Sequence, residues 1–124
     1  MWPFNLFKTP KKAAYPENLW TIETDDLALK CTDQTGKILS LAFTDLAAVA
    51  IETNDSGPWG ADVWWLLFDK SENLGCAFPQ GAKGEDQAVN RLTSLPGFDH
   101  QKMIEAMGST DNALYLVWRA PGVG

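Results

Sequence analysis

A single histidine, His100, and two cysteines, Cys31 and Cys76, are all that this chain of 124 residues offers of the side chains most used for metal ligation and nucleophilic catalysis. That scarcity excludes several chemistries. A zinc centre needs three or four nitrogen or sulfur donors in one place, and one histidine with two distant cysteines does not supply them. No metal or cofactor is therefore expected. The cysteines form no C-x-x-C pair and are too few for the disulfide framework of a small secreted domain. They are expected to be free, buried thiols that behave as small apolar residues. No G-x-S-x-G, H-E-x-x-H or G-x-x-x-x-G-K-[ST] pattern occurs, which removes the common signatures of hydrolases, zinc proteases and P-loop enzymes. His100 follows Asp99 directly, and neighbours on a helix point in different directions. Asp99 is thus poorly placed to orient His100 as a general base. The acid pairs Asp25-Asp26 and Glu85-Asp86 are sequence neighbours, not carboxylates facing each other across a pocket as glycoside hydrolysis requires. The chain is expected not to be an enzyme.

Long apolar runs are also missing. The longest fall far short of the ~20 residues that a membrane-crossing helix needs. The first eight residues, Met1 to Lys8, place their charge after the apolar stretch, which Pro3 and Asn5 interrupt, and this is the reverse of a signal peptide. A cytoplasmic location is the expectation. Basic residues are scarce outside the N-terminus. Against 16 Asp and Glu there are 10 Lys and Arg, and three of those, Lys8, Lys11 and Lys12, precede the first acid, Glu17. The remainder carries seven basic and sixteen acidic residues. A surface of that sign repels phosphate and argues against nucleic-acid binding, whereas it can steer a basic partner.

What the chain does have is closely spaced strand patterning. Residues 1–16 read as a flexible aromatic and basic tail, because Pro3, Pro10 and Pro16 disfavour helix, and a single domain is expected over 17–120. Within it, alternating or apolar runs at 19–23, 27–32, 38–43, 46–53, 63–68 and 74–78 are separated by turn residues such as Asp25-Asp26, Asp33-Gln34-Thr35-Gly36 and Lys70-Ser71-Glu72-Asn73. Short strands at this spacing predict an antiparallel meander. The run at 63–68 is apolar on both faces and is expected to be central. The period then changes. Ala88, Leu92 and Leu95 mark one face of a helix over 85–95, and Pro96-Gly97 stops it. Asp99 can cap a second helix that ends at Gly108, where a left-handed residue is expected. A last strand follows at 113–119. The prediction is an α+β fold: about six meander strands forming a bent sheet or partial barrel, then two helices and a final strand.

Two stretches carry resemblances. Leu41-Ala42-Phe43-Thr44-Asp45-Leu46-Ala47-Ala48-Val49 is similar to the strand–turn–strand step of bacterial pleckstrin-homology-like domains. Leu95 to Asp99, Ala106 to Thr110 and Val117-Trp118, with Gly57-Pro58-Trp59-Gly60, resemble a family of short bacterial proteins whose function is uncharacterised. The first resemblance implies a PH-like meander, although two helices and a strand stand here where such domains usually end on one helix. The second implies no activity.

Three segments are candidate binding elements. Residues 54–62 form a longer hairpin loop than a tight turn needs. The loop presents Trp59 between two glycines with Asp55 and Asp62 on either side, and an exposed tryptophan can anchor a partner. The alternative is a Trp59 folded back over the sheet edge. Gln80 to Asp86 carries a G-x-x-G before a helix, but Glu85 and Asp86 would repel an anion there, so it reads as a connector. The tail residues Trp2, Phe4, Phe7, Lys8, Lys11 and Lys12 could touch a partner or an anionic bilayer. Three lysines contribute about 1 kcal/mol each at such a surface, enough for weak, reversible contact only. The leading expectation is a non-enzymatic domain that binds a basic protein, of which an immunity-type protein neutralising a basic toxin is one concrete form. The alternative is a peripheral, PH-like membrane module that uses the tail.

Overall fold

The computed structural model describes residues 20–53, 63–109 and 112–121. Along these segments the alternating runs form strands β1 (Thr21–Thr24), β2 (Ala28–Thr32), β3 (Ile38–Ala42), β4 (Leu46–Thr53), β5 (Val63–Asp69) and β6 (Leu74–Pro79). A single 3₁₀ turn, Phe43–Asp45, separates β3 from β4. Helices α1 (Glu85–Thr93) and α2 (His100–Met107) follow, and β7 (Ala113–Arg119) returns to the sheet. The α+β order of six strands, two helices and a strand is the one the sequence predicts. The strands divide into two open antiparallel sheets, one ordered β1-β2-β3 and the other β6-β5-β4-β7.

The split follows from the 3₁₀ turn. Leu46 begins β4 opposite Asp69 of β5, while Ala42 ends β3 opposite Ala28 of β2. The three residues between redirect the chain from one sheet to the other. The inner face of the larger sheet is built from Val49, Ile51, Trp65, Leu67, Cys76, Phe78 and Val117. It packs on Ile22, Leu29 and Leu41 of the smaller sheet and on Ala88, Leu92 and Ala106 of the helices. Trp65 is fully buried in this layer, stacked between Phe78 and Phe98 at centroid distances of 6.1 and 6.4 Å. Its neighbour Trp64 points the other way, as alternation along a strand requires, and meets Trp20 edge-on at 5.2 Å.

The helices are held to the sheets at their ends. Asp99 caps α2 by accepting from the Lys102 N–H at 2.9 Å. Its own N–H donates to the Val117 carbonyl at 2.7 Å, and Trp118 Nε1 donates to the Pro96 carbonyl at 2.8 Å. The linker between the helices is thereby fastened to β7. Helix α1 ends two residues short of its apolar pattern. The Thr93 hydroxyl donates back to Val89 O and the Ser94 hydroxyl to Arg91 O, satisfying the last carbonyls. Gly108 does not take the left-handed conformation expected of it. Its φ is −94°, because its N–H still makes a helical bond to Ile104 O, and Gly97 at φ +86° is the left-handed residue of this region.

The cysteines overturn the expectation of free thiols. Cys31 of β2 and Cys76 of β6 form a disulfide, with Cα atoms 6.2 Å apart. Their separation of 45 residues had concealed the pairing. It arises because the smaller sheet lies across β6, where Leu41 packs on Gly75, and the two thiols meet between the layers. Both residues are buried.

Two stability predictions follow from this architecture. Closing a loop of 45 residues is worth up to about 4 kcal/mol in the chain-entropy account. Replacing both cysteines by alanine should therefore lower unfolding free energy by about 2–4 kcal/mol in a denaturant titration, and thiol titration of the native, non-reduced protein should find no free thiol. Gly84 caps α1 at φ +91°, and a Cβ there would overlap the Ile22 carbonyl oxygen. Gly84→Ala should cost more than about 1 kcal/mol in the same assay, through backbone strain and displacement of β1.

Candidate partner-binding surface

Three hairpin turns of the molecule are organised by an aspartate. At the β1–β2 turn, Asp25 Oδ1 accepts from the N–H groups of Leu27 and Ala28 at 2.7 and 2.8 Å. At β2–β3, Asp33 Oδ1 accepts from Thr35 N, the Thr35 hydroxyl and Lys37 N at 2.8, 2.6 and 3.0 Å. At β5–β6, Asp69 Oδ1 accepts from Ser71 N and Asn73 N at 2.9 and 3.0 Å. A short carboxylate can bond its own backbone a few residues on and fix a turn. Part of the acidity of this chain is thus a folding device, and each of these carboxylates still carries its charge to the surface.

The β1–β2 turn has a further property. Its side chain at the tip, Leu27, is 77% exposed, the largest exposure among the large hydrophobic residues described. The turn cannot fold it away. Asp25 fixes the Leu27 and Ala28 N–H groups, and the Leu27 carbonyl accepts from Phe43 N at 2.8 Å. Asp25 and Asp26 flank it and are exposed. The 3₁₀ turn that receives Leu27 ends on exposed Asp45, beside the Leu46–Asp69 pair and the turn containing Glu72. The turns at this end of the molecule carry Asp25 and Asp26 just before the Leu27 tip, Asp45 at the close of the 3₁₀ turn, and Asp69 and Glu72 in the β5–β6 turn. Lys70 lies in that same turn, and Arg119 pairs with Ala48 at this end of β4. The Arg91 guanidinium lies 4.1 Å from the centroid of the Phe43 ring, so it is held against the 3₁₀ turn. The hydrogen bonds from Leu27 N and then Ala28 N hold the Asp25 carboxyl below its ordinary range.

The remaining sequence candidates fall elsewhere. Asp55, Trp59 and Asp62 lie outside the described residues, as do Trp2, Phe4, Phe7, Lys8, Lys11 and Lys12. The base of the 54–62 loop is described. Thr53 pairs with Val63, its hydroxyl donates to Ala113 O at 3.5 Å, and Gln80 N donates to Val63 O at 2.8 Å. That base stands at the opposite end of β4 from Leu27. The Gln80–Asp86 connector closes on itself, with Glu85 Oε1 accepting from Gly81 N at 3.0 Å. Burial raises the Glu85 carboxyl above its ordinary range, against the Gly81 hydrogen bond. His100 Nε2 donates to Thr93 O at 3.0 Å and the ring sits edge-on to Phe98 at 5.0 Å. It joins the two helices, while Asp99 is engaged at Lys102 N. Among the described residues, no three His, Cys, Asp or Glu side chains come together as a metal centre needs, and no helix is long and apolar enough to cross a membrane.

Comparison with family models, with curated proteins and with solved structures finds no match to this chain. The Leu27 tip is the candidate that sequence reasoning missed. Asp25-Asp26 reads as a turn, and nothing in the next residue says that a leucine in a strand-like run will stand outside the layer. The signal was the acid two residues before it, which fixes the turn one residue later than the apolar pattern suggests.

The carboxylate bonds predict a specific pH response. A folded-state pKa below the unfolded value near 4 means that stabilisation is fully present above that value and is lost as pH falls through the folded pKa. Asp25→Asn keeps one acceptor oxygen and removes the titration. The thermal midpoint of the wild type should therefore fall more steeply below about pH 4 than that of Asp25→Asn, and the two curves should converge at the acid end. Parallel curves would show that the Asp25 charge contributes nothing to folding.

Proposed function

We propose that this chain is a non-enzymatic protein-binding domain that receives a basic protein partner on its acidic surface. The observation that carries the reading is the Leu27 tip, an apolar side chain held 77% exposed by a carboxylate-braced turn, with exposed Asp25 and Asp26 just before it and exposed Asp45 closing the 3₁₀ turn that its carbonyl bonds. A rigid apolar knob enters a partner pocket with little ordering cost, and burying it removes apolar area from water. The surrounding carboxylates, in a chain of net charge −6, favour partners of positive potential and speed their approach. An immunity-type protein that blocks a basic toxin is one form of this function. The Asp55, Trp59 and Asp62 loop would then serve as a second contact.

The test is comparative capture. Wild-type protein, Leu27→Asp and Asp25→Asn with Asp26→Asn are used as baits in lysate of the producing organism, and captured proteins are quantified by mass spectrometry at two salt concentrations. A basic protein should be retained by the wild type and lost from Leu27→Asp. With that partner purified, Leu27→Ala should accelerate dissociation, whereas neutralising the acids should slow association in a way that added salt reproduces. Capture that is indifferent to all of these changes, or confined to acidic proteins, would overturn the reading.

A further inference from the structure

The larger sheet has a second apolar face. Register places Leu116, Ala50, Leu66 and Ala77 in one row across it, with Trp64 in the row on one side and Phe68 in the row on the other. The smaller sheet and both helices contribute to the core on the opposite face. Even so, Ala50 and Leu66 are wholly buried, and Trp64, Ala77 and Phe68 are 3%, 3% and 7% exposed. Among the described residues, Trp20 is the one hydrophobic residue from outside this sheet that packs in the cluster. One indole cannot cover three rows. Glu52, Trp64, Phe68 and Arg119, spread over those rows, are none of them without an interaction partner.

We propose that this face is the docking surface for the N-terminal segment, residues 1–19, which forms a third layer over β4, β5 and β6. The chain leading into the described residues arrives at this face, because Trp20 stands edge-on to Trp64 at 5.2 Å. The reach is ample. Trp64 and Phe68 are four residues apart on a strand, about 13 Å, whereas the thirteen residues between Leu6 and Trp20 can span about 40 Å when extended. The composition fits. Trp2, Phe4 and Leu6 alternate with Pro3 and Asn5, so an extended segment turns all three toward one side. Prolines at 3, 10 and 16 suit an extended strap lying flat on a sheet rather than a further paired strand. Lys8, Lys11 and Lys12 bring positive charge toward the Glu52 carboxylate in the Trp64 row. In the central row burial is complete at Ala50 and Leu66 and fades at β7, where Leu116 is 40% exposed, so the strap leaves that edge uncovered. The aromatic residues of the segment are then committed to the domain and are not free to anchor it to a bilayer.

The experiment uses the full chain. A photo-reactive benzoylphenylalanine replaces Trp2 in one preparation and Phe4 in another. After irradiation, products are sized and cross-linked peptides are mapped by mass spectrometry. The expected result is a product of monomer mass in which the probe joins residues 48–50, 64–68 or 74–79. In a second measurement, Phe4→Asp with Leu6→Asp should abolish the Trp2-position cross-link, lower the thermal midpoint and raise the fluorescence of a dye that binds exposed apolar surface. A product of doubled mass would assign the face to a second copy. Cross-links to the smaller sheet, or none beyond the segment itself, would show that it does not dock there. Either result overturns the proposal. So would an unchanged midpoint and dye signal in the double variant.

Discussion

Strand β5 carries no polar side chain from Val63 to Phe68, and every residue of that run is buried. Side chains on a strand alternate between faces, so this strand requires an apolar layer on each side of its sheet. Burying a large apolar side chain is worth about 1.5–3 kcal/mol, which makes exposing either face costly on the scale of a domain's net stability of about 5–15 kcal/mol. The rest of the architecture answers that requirement. On the Trp65 and Leu67 face, the smaller sheet and the two helices fill the layer, and Phe98 reaches in from the helix linker. On the Trp64, Leu66 and Phe68 face, Trp20 begins the cover at the point where the chain enters the described structure.

Acidity in this molecule has two uses that coincide in the same residues. Asp25, Asp33 and Asp69 each brace a hairpin, and hairpin geometry sets which side chains face inward. Glu85 closes the connector onto α1 in the same manner, although its burial works against the charged form. Hydrogen bonds from backbone N–H groups favour the charged form of a carboxylate. The β1–β2 and β5–β6 turns that specify register therefore also bring negative charge to the end of the molecule where the Leu27 tip stands, while Asp33 carries its charge at the other end of β2. A protein whose acids are fixed by its turns presents its potential in a fixed pattern, which favours selective over diffuse attraction.

Much of the fold was legible because its signals are local. Strand boundaries at 46–53 and 113–119, the two-sided character of β5, the Ala88 and Leu92 face of α1 and the Asp99 cap all rest on patterns spanning fewer than ten residues. What was not legible depends on residues brought together from afar. The pairing of Cys31 with Cys76 needs the smaller sheet to cross β6, and no spacing rule reveals that. The division into two sheets turns on the 3₁₀ turn at Phe43–Asp45, which the sequence marks as a turn without showing that it carries the chain to a second sheet. The Leu27 tip was obscured for a different reason. Its exposure is decided by the two hydrogen bonds that Asp25 accepts rather than by the apolar pattern around it. The loop with Trp59 and the basic N-terminus lie outside the described residues.

The disulfide also limits how the molecule can exchange sulfur partners. Thiol–disulfide exchange requires an attacking thiolate to reach one of the two sulfurs, and both cysteines lie between the layers, Cys31 2% and Cys76 0% exposed. Reagent can arrive only when the smaller sheet lifts from β6. The rate of reduction under mild conditions is then a clock for that separation, and at high reductant it levels off at the opening rate. The bond reports on the cohesion of the two sheets as much as it contributes to it.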